Sequence, residues 1–220
     1  MEPIKPIISL TSWRKRINTV GKTIYSIITN CKFYEKIVLV LSTDEFPEKE
    51  ACLPEDLKIM HQANLFEILW VKENVKCFKK VLFTLKQYPQ NPVVSADDDC
   101  LYNCDYVSVL YAKWKQYPTS ICSYHTVRSS GISFQHGPAA LYPPGCFGDE
   151  GLKHLTANVL STWHDDVYYG ILANKLKIQI VDAGRNVPYK FHNTDGALSK
   201  TLTKSLLGSI QIIKRELGVR

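Results

Sequence analysis

Two kinds of apolar pattern alternate along this 220-residue chain, and their alternation constrains the fold more than any other feature. Continuous apolar runs such as 36–41 (KIVLVL) are typical of strands that are buried on both faces of a sheet. Between such runs, apolar residues recur at helical spacing, as in Ile17, Val20, Ile24 and Ile27. Strands that alternate with helices predict an α/β fold with a mostly parallel central sheet flanked by helices.

The same patterns extend over the whole chain, and a chain of this length suits one domain, which we place at 1–220. The segment 129–151 is rich in Gly and Pro and predicts a long loop. The predicted strands are 7–10, 36–41, 66–71, 92–96, 120–127 and 178–182. The predicted helices are 17–30, 75–85, 106–114, 165–176 and 202–217.

Polar residues follow three of the predicted strands at the point where each strand ends. They are Thr11 and Ser12 after the first strand, Asp44 after the second, and the aspartates 97–99 after the fourth. Ligands of open α/β sheets bind beyond the carboxyl ends of the strands. We therefore expect these residues to lie along one rim of the sheet.

The run Asp97-Asp98-Asp99 is the strongest chemical signal in the chain. Adjacent carboxylates repel one another, and a hard divalent cation with its preference for oxygen ligands removes the repulsion. Side chains of an extended chain alternate in direction, so we predict that Asp97 and Asp99 address one cation while Asp98 contacts another group, such as a ribose hydroxyl. A solvated acidic turn, or a set of caps for the next helix, is the alternative interpretation.

Several segments, taken in order, resemble GT-A glycosyltransferases, in particular small bacterial enzymes of surface-polysaccharide synthesis. A lone Asp-x-Asp is a weak signal, but an ordered set that extends from about residue 8 to about residue 170 is specific. The resemblance implies a single GT-A (Rossmann-like) domain with a nucleotide-binding half at about 1–102 and an acceptor and catalytic half at about 103–220. The matching segments are 8–17 (ISLTSWRKRI), 38–42 (VLVLS), 45–47 (EFP), 79–80 (KK), 95–102 (SADDDCLY), 141–144 (LYPP) and 165–167 (DDV).

The resemblance implies roles on the donor side of the site. Asp97 and Asp99 match the Asp-x-Asp motif, which binds a divalent cation (Mn²⁺ or Mg²⁺) and, through it, the donor diphosphate. His192 lies where many GT-A enzymes carry a late metal ligand. The loop after the first strand, which lies near the nucleotide in the family, contributes Thr11, Ser12 and Arg14.

The catalytic and acceptor residues are predicted with alternatives. Asp165 and Asp166 match the acidic pair that supplies the base in inverting members, although acidic residues also favour a helix N-terminus for electrostatic reasons alone. Lys80 is expected to assist the departing diphosphate, or else to be merely solvated. Tyr142 and Trp163 are candidates to stack on the acceptor sugar, and simple burial is the alternative for both.

Composition narrows the range of partners. Lys and Arg number 27 against 21 Asp and Glu, an excess that favours polyanions such as nucleotide diphosphates or anionic lipid. The longest basic run, 14–16, is too short for a nucleic-acid stripe, so we expect no nucleic-acid partner. The apolar stripe of the last helix, which also carries Lys214 and Arg215, either packs on the domain or contacts an anionic membrane.

The cysteines and the N-terminus predict the compartment. Seven cysteines are present, none in a Cys-x-x-Cys pair, and the first residues lack the pattern of a signal peptide. We therefore expect reduced thiols and a cytoplasmic protein, peripheral to the inner face of the membrane if the last helix docks there.

The function predicted from these features is metal-dependent, inverting transfer of a sugar from a nucleotide-diphosphate sugar, with uridine expected as the base. The acceptor is a saccharide or a lipid-linked molecule of bacterial surface-polysaccharide synthesis. A sugar-phosphate nucleotidyltransferase is one alternative, but it should carry a Gly-rich phosphate loop where this chain has 10–14 (LTSWR). A non-catalytic basic module is the other alternative, and it would bind polyanions even without Asp97 and Asp99.

Overall fold

The fold is described from a computed structural model, over residues 3–135, 137–184, 189–192 and 205–219. Its strands are β1 (Ile7–Thr11), β2 (Lys36–Ser42), β3 (Glu67–Val71), β4 (Val93–Ser95), β5 (Cys100–Tyr102), β6 (Ile121–Ser123), β7 (Thr126–Ser129), β8 (Ile132–Gln135), β9 (Ala140–Tyr142), β10 (Ile180–Asp182) and β11 (Tyr189–Phe191). Its α-helices are α1 (Val20–Asn30), α2 (Glu55–Gln62), α3 (Lys79–Gln87), α4 (Tyr106–Gln116), α5 (Glu150–Lys153), α6 (Ala157–Leu160), α7 (Asp165–Lys175) and α8 (Leu206–Leu217). Short 3₁₀ turns lie at Lys49–Cys52 and Lys76–Phe78.

Seven strands form one sheet in the order β10-β6-β9-β4-β1-β2-β3. All neighbours in it are parallel except β9, which runs antiparallel to both β4 and β6. From β1 the chain proceeds outward to β2 and β3, and then returns to pair β4 with the other edge of β1. The order therefore reverses between β1 and β4, and a crevice opens beyond the carboxyl ends of these two strands.

The predicted α/β fold with a mostly parallel sheet is confirmed, but one segment was assigned wrongly. The predicted loop 129–151 contains β8, β9 and the start of α5, and β9 is a central strand of the sheet. Strand β9 has only three residues and lies between segments that contain Gly and Pro. Its apolar pattern is therefore too short to show the alternation of a strand. Helix α2 was also missed, since only Leu57 of its eight residues is buried.

Alternate strand residues face two separate layers of helices. Val94 packs in the cluster that contains α1 and α4, whereas its neighbour Val93 packs in the cluster that contains α3, α7 and α8. The apolar stripe of α8, formed by Ile210, Ile213 and Leu217, is buried in this second cluster. Of the two uses considered for that stripe, packing on the domain is the one observed. In the part of the chain described, no helix has the length and apolarity that a bilayer crossing requires.

The seven cysteines are all free thiols, as expected. Burial raises the pKa of the Cys31 thiol to about 12, and it also raises the pKa of the Cys122 thiol to about 11. Buried thiols with such pKa values behave as small apolar side chains rather than as nucleophiles.

Helix α7 approaches β8 closely at Gly170. A Cβ atom added there would lie 2.3 Å from the Cβ atom of Phe134 and 2.8 Å from the carbonyl oxygen of Ser133. We expect Gly170→Ala to lower the free energy of unfolding by roughly 2 kcal/mol, because overpacking outweighs the better helix propensity of Ala. Urea unfolding measures the change.

Gly208→Ala in α8 is the matched control, because its added Cβ would meet only the Ser205 hydroxyl, at 3.3 Å. We expect it to change the free energy of unfolding by less than about 1 kcal/mol. Equal losses at the two glycines would contradict the close approach of α7 to β8.

Candidate functional site

The acidic run lies at the switch point of the sheet, but its chain is turned rather than extended. Strand β4 ends at Ser95, and the backbone turns at Asp98 and Asp99 before β5 begins. The Arg16 guanidinium spans both of these carboxylates, with Nη2 2.9 Å from Asp98 Oδ1 and Nη1 2.5 Å from Asp99 Oδ2. Asp98 and Asp99 therefore face the same guanidinium, contrary to the alternation predicted for an extended chain, because strand alternation does not apply within a turn. Burial and the nearby Asp97 carboxylate raise the pKa of Asp99, and a cation shared by Asp97 and Asp99 stays a prediction.

Asp98 is held by the protein on all sides. Its side chain is 3% exposed, and its Oδ2 accepts a hydrogen bond from the Ser12 hydroxyl at 2.6 Å. The Thr23 hydroxyl donates to its backbone carbonyl at 3.0 Å. Burial raises the pKa of Asp98 to about 6, although Arg16 and Ser12 oppose the shift. Both carboxylate oxygens already have protein partners, which suits a residue that fixes the turn.

Lys80 joins the acidic run to helix α7. The Ser9 hydroxyl bonds the Lys80 carbonyl at 2.5 Å and the Thr84 hydroxyl at 2.7 Å, which fixes the start of α3 against β1. The Lys80 ammonium lies 2.7 Å from Asp97 Oδ1 and 3.1 Å from Asp165 Oδ2. Burial opposes the charged form, but Asp165 and Asp97 outweigh it and hold the pKa of Lys80 well above its usual value.

The predicted catalytic pair occupies the first turn of α7. Burial raises the pKa of Asp165, and the nearby Lys80 limits the rise. Asp166 is half-buried, and its Oδ1 accepts the Val167 N–H at 2.8 Å. The two carboxylates begin a helix, as one interpretation of the pair had it, and Asp165 also faces the acidic run through Lys80. A catalytic role for the pair stays a prediction.

A cleft adjoins the acidic run at the ends of β1 and β2. Its cavity volume is about 50 Å³, and the unfilled space around it, including the part open to solvent at its mouth, is about 360 Å³. Thr11, Ser12, Asp98 and Trp163, all predicted site residues, are in its wall. The remaining wall residues are Trp13, Arg16, Glu45, Asn74, Lys76, Cys77 and Lys79.

Arg14 and Asp44 are among the predicted donor residues that lie outside that wall. Arg14 is exposed, and its Nε donates to the Glu45 carbonyl at 2.6 Å. Asp44 is also exposed, and its Oδ2 accepts the Asn74 N–H at 3.3 Å. Arg14 and Asp44 therefore support the loops around the cleft, whereas their partners Glu45 and Asn74 line its wall.

His192 lies beside the acidic run because β11 pairs with β5. Its backbone N–H donates to the Asp99 carbonyl at 2.9 Å, and its imidazole Nε2 lies 3.1 Å from the Thr23 hydroxyl. Burial lowers the pKa of His192, and the Lys22 charge lowers it further. A neutral imidazole is the form of histidine that binds a metal, but in this structure the Nε2 atom of His192 is hydrogen-bonded to the Thr23 hydroxyl.

The excess of negative charge at the site favours a bound cation, although the side chains described there are not arranged as a metal-binding group. Among the described residues, no three His, Cys, Asp or Glu side chains are grouped so that they could hold a metal ion by themselves. The carboxylates of Asp97, Asp98, Asp99 and Asp165 nevertheless outnumber the two cationic groups paired with them, those of Arg16 and Lys80. This excess of negative charge fits a divalent cation that brings further oxygen ligands with it.

Tyr142 is completely buried in β9, where its ring packs against Tyr169 and Phe147. Burial raises its pKa well above the usual value. No face of the ring is open to a sugar, so of the two alternatives for Tyr142 the packing role is the one observed. Trp163 differs, because it is half-buried and lies in the wall of the cleft.

Sequence reasoning missed the most connected cation of the site, Arg16. It stood in the basic run 14–16 and was given no separate role, whereas the exposed Arg14 was chosen. Arg16 is 7% exposed, and Ile17 beside it is 5% exposed. The sequence signal that could have identified Arg16 is its apolar neighbour Ile17, which indicates that the chain turns toward the core at this point.

The comparisons with known proteins show the fold. No protein-family model matches the sequence, and no curated protein matches it. Several solved structures match, and together with the sheet order they show a GT-A (Rossmann-like) fold.

Three of these structures illustrate the match. S. aureus TarS is 12% identical, with a TM-score of 0.57 over 97% of this chain and 43% of its own, so this chain spans less than half of TarS. Glucosyl-3-phosphoglycerate synthase from Mycobacterium tuberculosis, determined with UDP, is 13% identical, with a TM-score of 0.53 over 99% of this chain and 81% of its own. A 4-diphosphocytidyl-2C-methyl-D-erythritol synthase is 11% identical, with a TM-score of 0.56 over 91% and 99%.

Lys80→Met tests the buried charge network. It leaves the carboxylates of Asp97 and Asp165 without their ammonium, and we expect it to lower the free energy of unfolding by about 3–5 kcal/mol at pH 8. Without Lys80, the pKa of buried Asp165 rises further above its unfolded value. The destabilisation is therefore largest above that raised pKa and becomes smaller as the pH falls through it and Asp165 takes up a proton.

Urea unfolding at pH 5 and at pH 8 measures this difference. Lys86→Met is the matched control, because Lys86 is exposed on the same helix, and we expect it to change stability by less than about 0.5 kcal/mol. Adding Asp165→Asn to Lys80→Met should recover part of the loss. A Lys80→Met variant with pH-independent stability loss would argue against a charge-based role.

Proposed function

We propose that this chain is a glycosyltransferase that moves a sugar from a nucleotide-diphosphate sugar to a hydroxyl acceptor, a saccharide or a lipid-linked molecule. The observation that carries the proposal is the shared Lys80 ammonium, which links Asp97 at the end of β4 to Asp165 at the start of α7. It brings a site for a charged leaving group next to a carboxylate pair suited to act as a base. The GT-A fold supports this assignment.

The donor is proposed to lie along the crevice between β1 and β4. Its nucleoside occupies the cleft beside Thr11 and Ser12, and its diphosphate reaches the acidic run. Negative charge develops on the diphosphate as the glycosidic bond breaks, and fixed positive charge stabilises it there. Lys80, whose pKa is held high, keeps its charge at any physiological pH.

The site requires a cation to accept an anionic donor, because its carboxylates exceed its own positive charges. We propose that Asp97 and Asp99 bind Mn²⁺ or Mg²⁺ together with oxygens of the donor, and that His192 is an additional candidate ligand. Such an ion supplies Lewis-acid stabilisation to the departing diphosphate. Asp98 is left out of this set, because Ser12 and Arg16 occupy its oxygens.

Asp166 is proposed as the general base that takes the proton of the attacking hydroxyl, and Asp165 as the residue that positions Lys80. Asp165 forms the ion pair with Lys80 at 3.1 Å, so it serves the donor side. Asp166 is half-buried and next in sequence on the same turn. A base on the acceptor side of the sugar favours inversion of the anomeric carbon.

The nucleotidyltransferase alternative shares the fold, as the diphosphocytidyl synthase neighbour illustrates. Two features of the loop after β1 disfavour it. The loop contains no glycine between Thr11 and Thr19, and its backbone N–H groups at Arg16 and Ile17 both donate to the Trp13 carbonyl at 2.9 Å rather than remaining open to phosphates.

A nucleotide-sugar panel with and without Mn²⁺, read by thermal shift and by calorimetry, tests the proposal. UDP-sugars are tested first, because TarS and the M. tuberculosis synthase have both been determined with UDP. We expect binding that requires Mn²⁺ and that falls at least tenfold in Asp97→Asn. Asp149→Asn, which changes an exposed carboxylate distant from the acidic run, should bind like the wild type.

Three outcomes would count against the proposal in different ways. Binding of no nucleotide-sugar at all would remove the glycosyltransferase. Release of pyrophosphate from a nucleoside triphosphate and a sugar phosphate would favour the nucleotidyltransferase. Salt-sensitive polyanion binding that survives Asp97→Asn, with no nucleotide binding, would favour the non-catalytic module.

Asp166→Asn tests the assignment of the base. We expect turnover, measured as release of the nucleoside diphosphate, to fall by about 10²–10⁴-fold while donor affinity changes by less than threefold. Asp165→Asn should instead weaken donor binding, because it disturbs Lys80. Similar losses of turnover with unchanged binding in both variants would contradict the division of roles.

A further inference from the structure

The last helix reaches the residue that precedes the proposed catalytic pair. The ring of His164, just before α7, is hydrogen-bonded through Nδ1 to the Ser209 hydroxyl of α8 at 2.8 Å. Ser209 is completely buried, and the apolar stripe of α8 packs in the same cluster as α7. Serine hydroxyls inside helices commonly bond a backbone carbonyl of their own helix, so this bond to a second element is a specific tie between α8 and the start of α7.

The start of α7 depends on contacts of this kind. Its N-cap residue is His164, which is not among the residue types that cap helices well, and within the described chain the His164 side chain makes no capping hydrogen bond. The His164 backbone is bonded on both sides, since its N–H donates to Thr162 Oγ1 at 3.3 Å and its carbonyl accepts the Tyr168 N–H at 3.1 Å. A displacement of His164 would therefore displace the first turn of α7 with it.

The loop before His164 has an uncommon conformation. Trp163 has a left-handed backbone (φ 59°), which is unfavourable for a bulky residue and persists only where neighbouring contacts enforce it. The Lys76 ammonium lies 3.9 Å from the centre of the Trp163 ring, and Cys77 Sγ donates to the Trp163 carbonyl at 3.5 Å. These contacts hold Trp163, and the bond to Ser209 holds the next residue, from which α7 begins.

The tie to α8 concerns the proposed base more directly than the donor site. Asp166 lies in the first turn of α7, and its Oδ1 accepts the Val167 N–H of the same turn at 2.8 Å. The proposed donor contacts belong to other elements, because Asp97 follows β4 and the cleft lies at the ends of β1 and β2. A displaced turn should therefore impair proton removal from the acceptor while donor binding is largely kept.

We propose that His164 and Ser209 are positioning residues, through which α8 holds the first turn of α7 where Asp166 reaches the attacking hydroxyl. The proposal rests on the proposed function, and it gives α8 a part in turnover beyond the packing of its apolar stripe. Neither side chain has to touch a substrate, since both act through the position of the turn. A misplacement of about 1 Å can lower a rate by about 10²-fold, so one buried hydrogen bond is enough to change turnover.

Ser209→Ala is the decisive variant, because it removes the hydroxyl and keeps a good helix former in α8. We expect turnover, measured as release of the nucleoside diphosphate well below Tm, to fall about 10-fold to 100-fold, while donor affinity measured by calorimetry changes by less than about threefold. Asn158→Ala is the matched control, since it removes another hydrogen bond to α8, that of Asn158 Nδ2 to Glu216 Oε1 at 2.9 Å. It should leave turnover unchanged.

His164→Phe removes the ring nitrogens, keeps a planar ring and completes a double-mutant cycle. If one hydrogen bond connects the two residues, the variant that combines His164→Phe with Ser209→Ala should lose no more turnover than the more affected single variant. Hydrogen exchange tests the tie without any ligand. The Val167 and Tyr168 amides should exchange at least about tenfold faster in Ser209→Ala, whereas Asn158→Ala should leave their exchange unchanged.

The failures are distinguishable. If the wild type turns over no nucleotide-sugar, the proposed function fails and this role in turnover fails with it, even where hydrogen exchange shows the tie. If the wild type is active and Ser209→Ala is equally active, the inference is overturned while the proposed function stands. Losses that multiply in the double variant, or an equal loss in Asn158→Ala, would also overturn it, since the effect would then not come from the bond between His164 and Ser209.

Discussion

The buried ammonium of Lys80 is the interaction on which the candidate site depends. It lies between a carboxylate at the end of a central strand and a carboxylate at the start of α7, and its side chain is only 9% exposed. A charge removed from water is tolerated only when partners replace its hydration, so the three groups require one another. Ser9 fixes the backbone of Lys80 on β1, and this links the ion pairs to the rigid centre of the sheet. The end of β4 and the start of α7 are thereby held in one geometry.

Arg16 has the corresponding role on the other side of the acidic run. Its guanidinium holds the turn at Asp98 and Asp99, and the second turn residue is next to His192 through a backbone hydrogen bond. Three aspartates in a row are thus divided between two protein cations rather than exposed to solvent. The negative charge that remains favours a cation and a phosphorylated ligand as occupants. Burial raises the pKa of Asp98 to about 6, although Arg16 and Ser12 oppose the shift.

The wall of the cleft adds recognition to this charged centre. Charged groups there are mostly neutralised within the wall, as in the Glu45–Lys79 pair, whereas the indoles of Trp13 and Trp163 present apolar surface. A ligand with a flat aromatic part and a charged part matches the cleft and the acidic run together. Under the proposed function, the base of the nucleotide matches the aromatic wall and its phosphates match the charged rim.

The sequence by itself determined the α/β class, most strands and helices, and the placement of Thr11, Ser12 and Asp97–Asp99 at one rim, because these follow from local periodicity and from the rule that parallel strands end at the same edge. Only the tertiary structure decided that β9 is central, that Tyr142 is core, and that Arg16 rather than Arg14 is paired with the acidic run. It also decided that Asp98 and Asp99 share one partner, since the turn after β4 is set by the return of the chain as β5. Local patterns report which faces are apolar, but pairing between residues such as Lys80 and Asp165, 85 positions apart, depends on the packing of whole elements, and no short-range signal encodes it.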